Sequence, residues 1–225
     1  MKIFRILRTI VIGLFLSSIF FVFLYRFVPV YITPLMLIRV VEQVSEGKSI
    51  RLERGWVSID DISPSMVRAV IASEDNLFLE HYGFDFKGLK TAYEHNKKGK
   101  KLKGGSTITQ QTAKNVFLTP SRTYVRKALE AYFTVLIELI WSKERILEVY
   151  LNVIEMGDGV YGVEKASRIY FNKSPRRLSI AQSALIAASL PNPRKYSVSR
   201  PGPYMYKRQA QIMWLMPKIG KIEFE

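Results

Sequence analysis

The chain has 225 residues, enough for one domain of ordinary size together with an appendage. It contains no cysteine, which excludes disulfide frameworks, thiolate metal sites and cysteine nucleophiles. Its formal net charge of +15 indicates an anionic partner, and charge alone leaves nucleic acid, an anionic bilayer and a phosphorylated substrate open.

The N-terminal segment predicts a membrane anchor. Residues 9–25 carry no charge and are mostly apolar, near the lower limit of the roughly 17 to 25 residues that span a bilayer. A cleaved signal peptide is the alternative, but such a peptide has a shorter apolar stretch that ends in small residues. Lys2, Arg5 and Arg8 precede the span and predict an N-terminus inside the cytoplasm, with the rest of the chain outside it.

The next segment, residues 30–44, remains apolar, and Pro29 and Pro34 interrupt any long helix. Two interpretations of this segment are open. It is either the first segment of a core or a segment that rests in the membrane interface.

Beyond Ile62 the pattern is helical, and little in it supports strands. Ser63 followed by Pro64 is typical of a helix start. Helices are predicted over residues 66–74, 109–118, 124–141, 143–152 and 180–190, the last with a capping box of Ser179 and Gln182. The basic, glycine-rich segment 95–105 is typical of a mobile loop. The pattern predicts a mainly α domain without the alternating strands and helices of a nucleotide-binding sheet.

Two acids end the first of these helices. Glu74 and Asp75 follow an apolar helix face, and His81 stands seven residues after Glu74. An isolated acid pair of this kind is usually a solvated helix end. Here the apolar face predicts that Glu74 lies at the mouth of a core, where a carboxylate becomes an effective acid or base.

A second polar patch begins with glycines at 104–105 and runs to Asn115. On a helix, Gln110 and Lys114 share one face, and Gln111 shares the adjacent face with Asn115. The glycines, hydroxyls and amides favour a groove that binds sugar and phosphate; the alternative is a polar face in solvent.

A third patch sets Arg126, Lys127 and Glu130 within one helical turn. These residues fit a binding site, and an ordinary surface ion-pair cluster explains them equally well.

Together the patches resemble the glycosyltransferase family 51 domain, the peptidoglycan polymerase module of monofunctional transglycosylases and bifunctional penicillin-binding proteins. The similarity extends over about residues 57–213. It is carried by Glu74-Asp75-x-x-Phe78-x-x-His81-x-Gly83, Gly105-Ser106-Thr107-Ile108-Thr109-Gln110-Gln111, Arg126-Lys127-x-x-Glu130 and Lys143-x-x-Ile146-Leu147-Glu148-x-Tyr150-Leu151-Asn152. Asn172 stands where glycine is common in the family. No transpeptidase motif follows, so the chain is similar to the monofunctional members.

The resemblance implies a mainly α, lysozyme-like, two-lobed glycosyltransferase domain with one N-terminal transmembrane helix. The chain then divides into cytoplasmic residues 1–8, a transmembrane anchor over 9–28, a membrane-proximal segment over 29–56 and the peptidoglycan glycosyltransferase domain over 57–225. The implied reaction polymerises lipid II, an undecaprenyl-pyrophosphoryl disaccharide-pentapeptide, into glycan strands. The transfer inverts the donor's configuration and releases undecaprenyl pyrophosphate.

The resemblance also implies roles for individual residues. Glu74 is expected to be the general base, and Glu130 is the second family carboxylate. Lys114 and Arg122 match positions associated with the donor pyrophosphate. The other expected substrate-binding residues are Asp75, His81, Ser106, Thr107, Gln110, Gln111, Asn115, Arg126 and Lys127. Some members are associated with a divalent cation, Mg or Mn, although no ligand set in this sequence establishes one, and no organic cofactor is expected.

The expected location is the cytoplasmic (inner) membrane, crossed once, with the catalytic domain in the periplasm. The expected partners are lipid II, the growing glycan strand, membrane lipids and other cell-wall synthesis or division proteins, and no nucleic acid. Two rival functions remain. One is a hydrolase or lytic enzyme on the same scaffold, with Glu74 as acid. The other is a non-enzymatic basic adaptor at the membrane, which leaves the Gly-Ser-Thr-x-Thr-Gln-Gln sequence unexplained.

Overall fold

A computed structural model describes residues 2–88, Lys97 and residues 105–224 of the chain. Apart from Lys97 and Gly105, the predicted mobile loop 95–105 lies outside the described residues. The described part is mainly helical, which confirms the predicted fold class.

Nine α-helices lie within the described residues. They are α1 (Lys2–Tyr25), α2 (Pro34–Ser45), α3 (Pro64–Glu74), α4 (Ile108–Phe117), α5 (Tyr124–Ile140), α6 (Lys143–Val153), α7 (Gly162–Phe171), α8 (Ile180–Ser189) and α9 (Pro203–Leu215). The five helices predicted beyond Ile62 are confirmed to within two residues at each end. The sequence did not predict α7 or α9, because Tyr161 and Gly202 before them offer no side-chain cap.

The described residues also contain one small sheet, for which the sequence offered little support. Its strands are β1 (Glu53–Arg54), β2 (Glu155–Gly157) and β3 (Val160–Tyr161), in the order β1-β3-β2. β1 runs parallel to β3, and β2 runs antiparallel to it. Strands of two or three residues are too short to show an alternating pattern, so the sequence gives no signal for them.

Helices α2 to α6 and α8 begin where a side chain caps them. Ser63 and Pro64 start α3 as expected, and the hydroxyl of Ser63 accepts a hydrogen bond from the amide of Ser65. The predicted capping box of Ser179 and Gln182 opens α8, and Thr107 and Gln110 form a second such box at α4. These caps fix where α4 begins, and therefore which of its side chains face the rest of the site.

The core is centred on α8, which packs between α3 and α9. Ala184, Ile186, Ala187 and Ala188 of α8 are fully buried, as are Met66 and Val70 on α3 and Tyr150 on α6. Each buried aliphatic side chain contributes roughly 1.5–3 kcal/mol. The buried face of α3 therefore fixes the position of its last residue, Glu74.

Helix α1 has the length and composition of a membrane span, with a mean hydropathy of 2.3. It is not a detached tail. The indole nitrogen of Trp141 donates to the carbonyl of Val22 at 2.7 Å, and the hydroxyls of Ser18 and Tyr132 lie 2.7 Å apart. The guanidinium of Arg145 donates to the carbonyl of Tyr25 at 2.8 and 3.0 Å. Helix α1 is thus attached to α5 and α6.

Helix α2 has two unlike faces. Met36 and Gln43 are buried, and the helix packs against α4. Leu37, Val41 and Val44 form an exposed apolar stripe at helical spacing. The buried face fits a segment of the core, and the exposed apolar stripe fits a segment that rests in the membrane interface.

We expect Gly162→Ala to destabilise the fold. Gly162 has φ +76°, and an added Cβ would lie 2.4 Å from the carbonyl oxygen of Asn152. An alanine in this conformation costs of order 1–3 kcal/mol before the clash is counted. Thermal unfolding of the purified protein in detergent measures the loss.

Gly202→Ala is the matched control, because no atom lies within 4 Å of its added Cβ and its φ is −85°. This variant should unfold within about 0.5 kcal/mol of the parent. Equal melting temperatures for the two variants would contradict the strain at Gly162.

Candidate active site

The carboxylate of Glu74 lies at the edge of the core, as the apolar face of α3 predicted. Its Oε1 accepts a hydrogen bond from the hydroxyl of Ser73 at 3.0 Å. Its Oε2 accepts one from the Nε2 of Gln111 on α4 at 3.1 Å. Arg208 on α9 donates to the carbonyl and hydroxyl oxygens of Ser73 at 3.1 and 3.3 Å. The carboxylate is half-buried and oriented on both oxygens.

The side-chain amide of Gln111 is itself oriented from within the core. The hydroxyl of the fully buried Tyr150 donates to the Oε1 of Gln111 at 3.1 Å. Because the amide oxygen is occupied, the NH2 group faces Glu74. Burial, together with the charges of Glu74 and Asp75, raises the pKa of Tyr150 well above its usual value. Tyr150 therefore remains a protonated donor.

Asp75 and His81, both predicted to bind substrate, contact each other. The Nε2 of His81 and the Oδ1 of Asp75 are 2.9 Å apart, and the Oδ2 of Asp75 accepts from the amide of Ile108 at 3.0 Å. Asp75 is buried, and its carboxylate lies at the N-terminus of α4, where the helix dipole favours a negative charge. These contacts give both residues a structural role, and their substrate binding stays a prediction.

Thr107 and Gln110 are likewise committed to the start of α4. The hydroxyl of Thr107 donates to the carbonyl of Gly83 at 2.7 Å, and the Oε1 of Gln110 accepts from the amide of Thr107 at 3.0 Å. Both side chains are buried, whereas Ser106 just before them is exposed. Ser106 is the member of this trio whose side chain is open to a ligand.

A cleft with a volume of about 190 Å³ lies beside Glu74's partner Gln111. Its lining comprises Leu35, Arg39, Gln111, Lys114, Asn115, Leu118, Pro120, Ile154, Glu155, Leu190, Pro191 and Pro193. Burial lowers the pKa of Lys114, and the negative charges of Glu130 and Glu74 oppose that shift. The cleft therefore holds a partly desolvated cation one helical turn from the residue that contacts Glu74.

Glu130, the second predicted carboxylate, is buried and fully engaged. It pairs with Arg126 and Lys127 on its own helix, as the spacing of the three residues indicated. Its negative charge also acts on Lys114. Arg122 is exposed and lies outside the lining of the cleft.

A further charged group beside the site was not predicted. Glu138 on α5 accepts from the hydroxyl of Thr109 at 2.5 Å and from the ammonium of Lys143 at 2.9 Å. Lys143 also donates to the carbonyl of His81 at 2.6 Å. This network ties α4, α5 and the segment after α3 together. Its signal in the sequence is slight, because only Thr109 and Lys143 lie in the motifs.

The residues described contain no cluster of three or more histidine, aspartate or glutamate side chains that could hold a metal ion. Asp75 and Glu130 are engaged by protein donors. The divalent cation stays a prediction, and we assign it no step.

Comparison with known proteins bears out the resemblance. A family model described as Transglycosylase matches residues 41–217. A protein of Bacteroides thetaiotaomicron is 53% identical over 225 residues, covering 99% of this chain and 91% of the relative. A protein of Bdellovibrio bacteriovorus is 56% identical over 199 residues, covering 88% and 80%. A third, from Caulobacter vibrioides, is 53% identical over 212 residues, covering 92% and 90%.

Each of these three relatives bears the name biosynthetic peptidoglycan transglycosylase. The family match covers more than half of the chain, and it contains all of the predicted site residues. The chain therefore belongs to the transglycosylase family and is a glycosyltransferase.

Proposed function

We propose that the chain polymerises lipid II into peptidoglycan glycan strands by inverting transfer, with release of undecaprenyl pyrophosphate. One observation carries this proposal: a carboxylate held by Gln111 adjoins a cleft that contains the partly buried cation Lys114. The names of the relatives support peptidoglycan as the product.

Glu74 is the general base in this proposal. A hydroxyl of the acceptor sugar must lose its proton as it attacks the anomeric carbon of the donor, and an oriented carboxylate is suited to accept it. General-base catalysis of this kind is worth roughly 10² to 10⁴ in rate. The hydrogen bonds from Ser73 and Gln111 hold the carboxylate in one orientation. This preorganisation limits the reorganisation needed when the acceptor arrives.

Lys114 stabilises the leaving group. A lipid diphosphate departs with its bonding electrons, so positive charge is required there more than a strong acid. Partial burial strengthens the interaction of Lys114 with an anion, because the local dielectric is lower than that of water. One direct displacement then inverts the donor configuration without a covalent glycosyl-enzyme.

Glu130 acts through its neighbours in this scheme. Its carboxylate is occupied by Arg126 and Lys127, which argues against a role as nucleophile. Its charge raises the pKa of Lys114 against the effect of burial, so it helps to keep that lysine protonated. Arg126, Lys127 and the exposed Arg122 then supply further positive charge around the donor diphosphate.

The rival hydrolase accounts less well for the cleft. Finished glycan carries no pyrophosphate, so a desolvated lysine in the cleft would have no anion to bind. The non-enzymatic adaptor is excluded by the family to which the chain belongs. The polymerase accounts for both the carboxylate and the cation.

The anchor supports a location at the membrane. Helix α1 is apolar, and other parts of the protein bury only 6% of its most apolar stretch. Lys2, Arg5 and Arg8 lie at its start, and cations flanking a span tend to stay in the cytoplasm. We therefore propose a single-pass protein of the cytoplasmic membrane, with residues 1–8 inside, 9–28 in the bilayer and the catalytic domain 57–225 outside.

Replacing Glu74 with glutamine should abolish polymerisation while lipid II still binds. The amide keeps the shape of the carboxylate but cannot accept the proton, so kcat should fall by roughly 10² to 10⁴. Product gels with lipid II, a parallel incubation with finished glycan, and a binding isotherm measure these effects.

Glu80→Gln is the control, because Glu80 is an exposed acid a few residues away. Turnover in Glu74→Gln within a few-fold of the parent would remove Glu74 from the mechanism, and cleavage of finished glycan by the parent would favour the hydrolase.

Lys114→Met should lower kcat/KM by roughly 10²-fold, about 3 kcal/mol of transition-state stabilisation. Lys114→Arg should recover part of this loss, limited by the different shape of the guanidinium. Burial lowers the pKa of Lys114, so in the parent kcat/KM should fall as the pH rises through that pKa and the lysine loses its charge. Arginine stays charged, so this alkaline fall should be absent in Lys114→Arg.

The control for Lys114 is Lys207→Met, an exposed lysine on α9. Melting temperatures of all three variants separate lost chemistry from lost folding. Parental turnover in Lys114→Met, or a loss accounted for wholly by unfolding, would end the assignment of Lys114 to the leaving group.

The orientation is testable because the chain has no native cysteine. Lys218→Cys should react with a membrane-impermeant thiol reagent in intact, outer-permeabilised cells, since residue 218 lies beyond the anchor. Lys2→Cys should react only after lysis. The reverse pattern would overturn the proposed orientation.

A further inference from the structure

Helix α2 contributes a cation to the same cleft as Lys114. Arg39 and Leu35 lie one helical turn apart on α2, and both line the cleft. Thr33 caps the helix, Pro34 begins it, and the helix packs against α4. Arg39 precedes residues 41–217, the part of the chain that the family model matches. A residue of the membrane-proximal segment is thus built into the site.

The contacts of Arg39 leave part of its guanidinium without a hydrogen bond. Its Nη1 donates to Glu42 at 2.6 Å, but its Nε lies 3.5 Å from the Oε2 of Glu155 without a hydrogen bond. Among the described residues, Arg39 Nε, Glu155 Oε1 and the hydroxyl of neighbouring Tyr161 have no hydrogen-bond partner. A structural ion pair is normally completed by such bonds, and unpaired buried polar atoms are uncommon outside functional sites. A purely structural ion pair therefore does not account well for the arrangement of Arg39 and Glu155.

The lining of the cleft favours an anionic amphiphile. Arg39 and Lys114 supply two cations, and Glu155 is the only acid among the described residues that line the cleft. Burial raises the pKa of Glu155, and the charge of Arg39 opposes that shift. Leucine and proline side chains make up most of the remaining wall. Two cations beside an apolar wall complement a diphosphate attached to an isoprenoid chain.

We propose that Arg39 binds the diphosphate of the lipid-linked donor together with Lys114, so that α2 forms part of the substrate site. This inference rests on the proposed function. The guanidinium presents several donors in a plane that matches phosphate oxygens, and its hydrogen bond to Glu42 holds it beside the cleft. Arg39 is a binding residue in this scheme, and Glu74 and Lys114 keep their roles in the chemistry.

The test uses the full-length protein in detergent and the variants Arg39→Met and Arg39→Lys. Arg39→Met removes the charge and keeps an apolar stem, so the KM for lipid II should rise about tenfold or more, the loss of one charge-assisted hydrogen bond. Its kcat should change less than threefold, and Arg39→Lys should have an intermediate KM. Arg51→Met, an exposed arginine outside the cleft, should match the parent.

Inhibition by farnesyl pyrophosphate and by farnesol reports the charged group directly. The inhibition constant of farnesyl pyrophosphate should rise in Arg39→Met in step with KM, while that of uncharged farnesol should not change. A purely structural Arg39 would instead lower kcat and the melting temperature, leave both inhibition constants unchanged and gain nothing from Arg39→Lys. An inhibition constant of farnesyl pyrophosphate that is unchanged in Arg39→Met, or a KM in Arg39→Lys no better than that in Arg39→Met, overturns the proposal.

Glu155→Gln keeps the assignment testable if Arg39→Met fails to fold. It removes the counter-ion and leaves Arg39 in place, so the KM should be equal to or below that of the parent. A KM raised as in Arg39→Met would mean that only the intact ion pair matters, and would contradict binding by Arg39. If the parent makes no polymer from lipid II, the proposed function is wrong. If the parent makes polymer and Arg39→Met has an unchanged KM, the proposed function stands and only the role of Arg39 is wrong.

Discussion

The site depends on one hydrogen bond that originates in the core, from the hydroxyl of Tyr150 to the side-chain amide of Gln111. Tyr150 is fully buried on α6, so its position is set by packing and not by solvent. The bond fixes which end of the Gln111 amide faces Glu74, and that end donates to the carboxylate. Without the hydrogen bond from Tyr150, the Gln111 amide could turn and place its oxygen against the carboxylate oxygen of Glu74. The geometry around Glu74 is therefore a consequence of how α6 packs.

The same helices that make the site also hold α1 and α2, the two helices nearest the N-terminus. α1 is attached to α5 and α6 through Trp141, Tyr132 and Arg145, while α2 packs on α4 and brings Arg39 to the cleft. Helix α1 is thus fixed to the helices that carry Glu130 and Tyr150. In the proposed function this arrangement would hold the cleft at a fixed position relative to the bilayer from which the lipid-linked substrate comes.

Much of the fold was predictable because its signals are local. Ser63 with Pro64 and Ser179 with Gln182 mark helix starts through contacts within a few residues, and the apolar face of α3 places Glu74 at the edge of the core. The roles of Asp75 and Thr107 were not predictable in the same way. Both are polar residues of the family motifs, and the sequence does not show that each also contacts a distant backbone group. Arg39 carries no local signal, because its place in the cleft depends on how α2 packs on α4.

The most direct test of this account is the steady-state turnover of lipid II by Tyr150→Phe. The substitution removes one hydroxyl and preserves the packing of the ring, so the melting temperature and KM should change little. The Gln111 amide is then free to turn away from Glu74, and kcat should fall at least about tenfold, the equivalent of 1.4 kcal/mol. Parental kcat in a folded Tyr150→Phe protein would contradict the claim that the core orients Glu74 through Gln111.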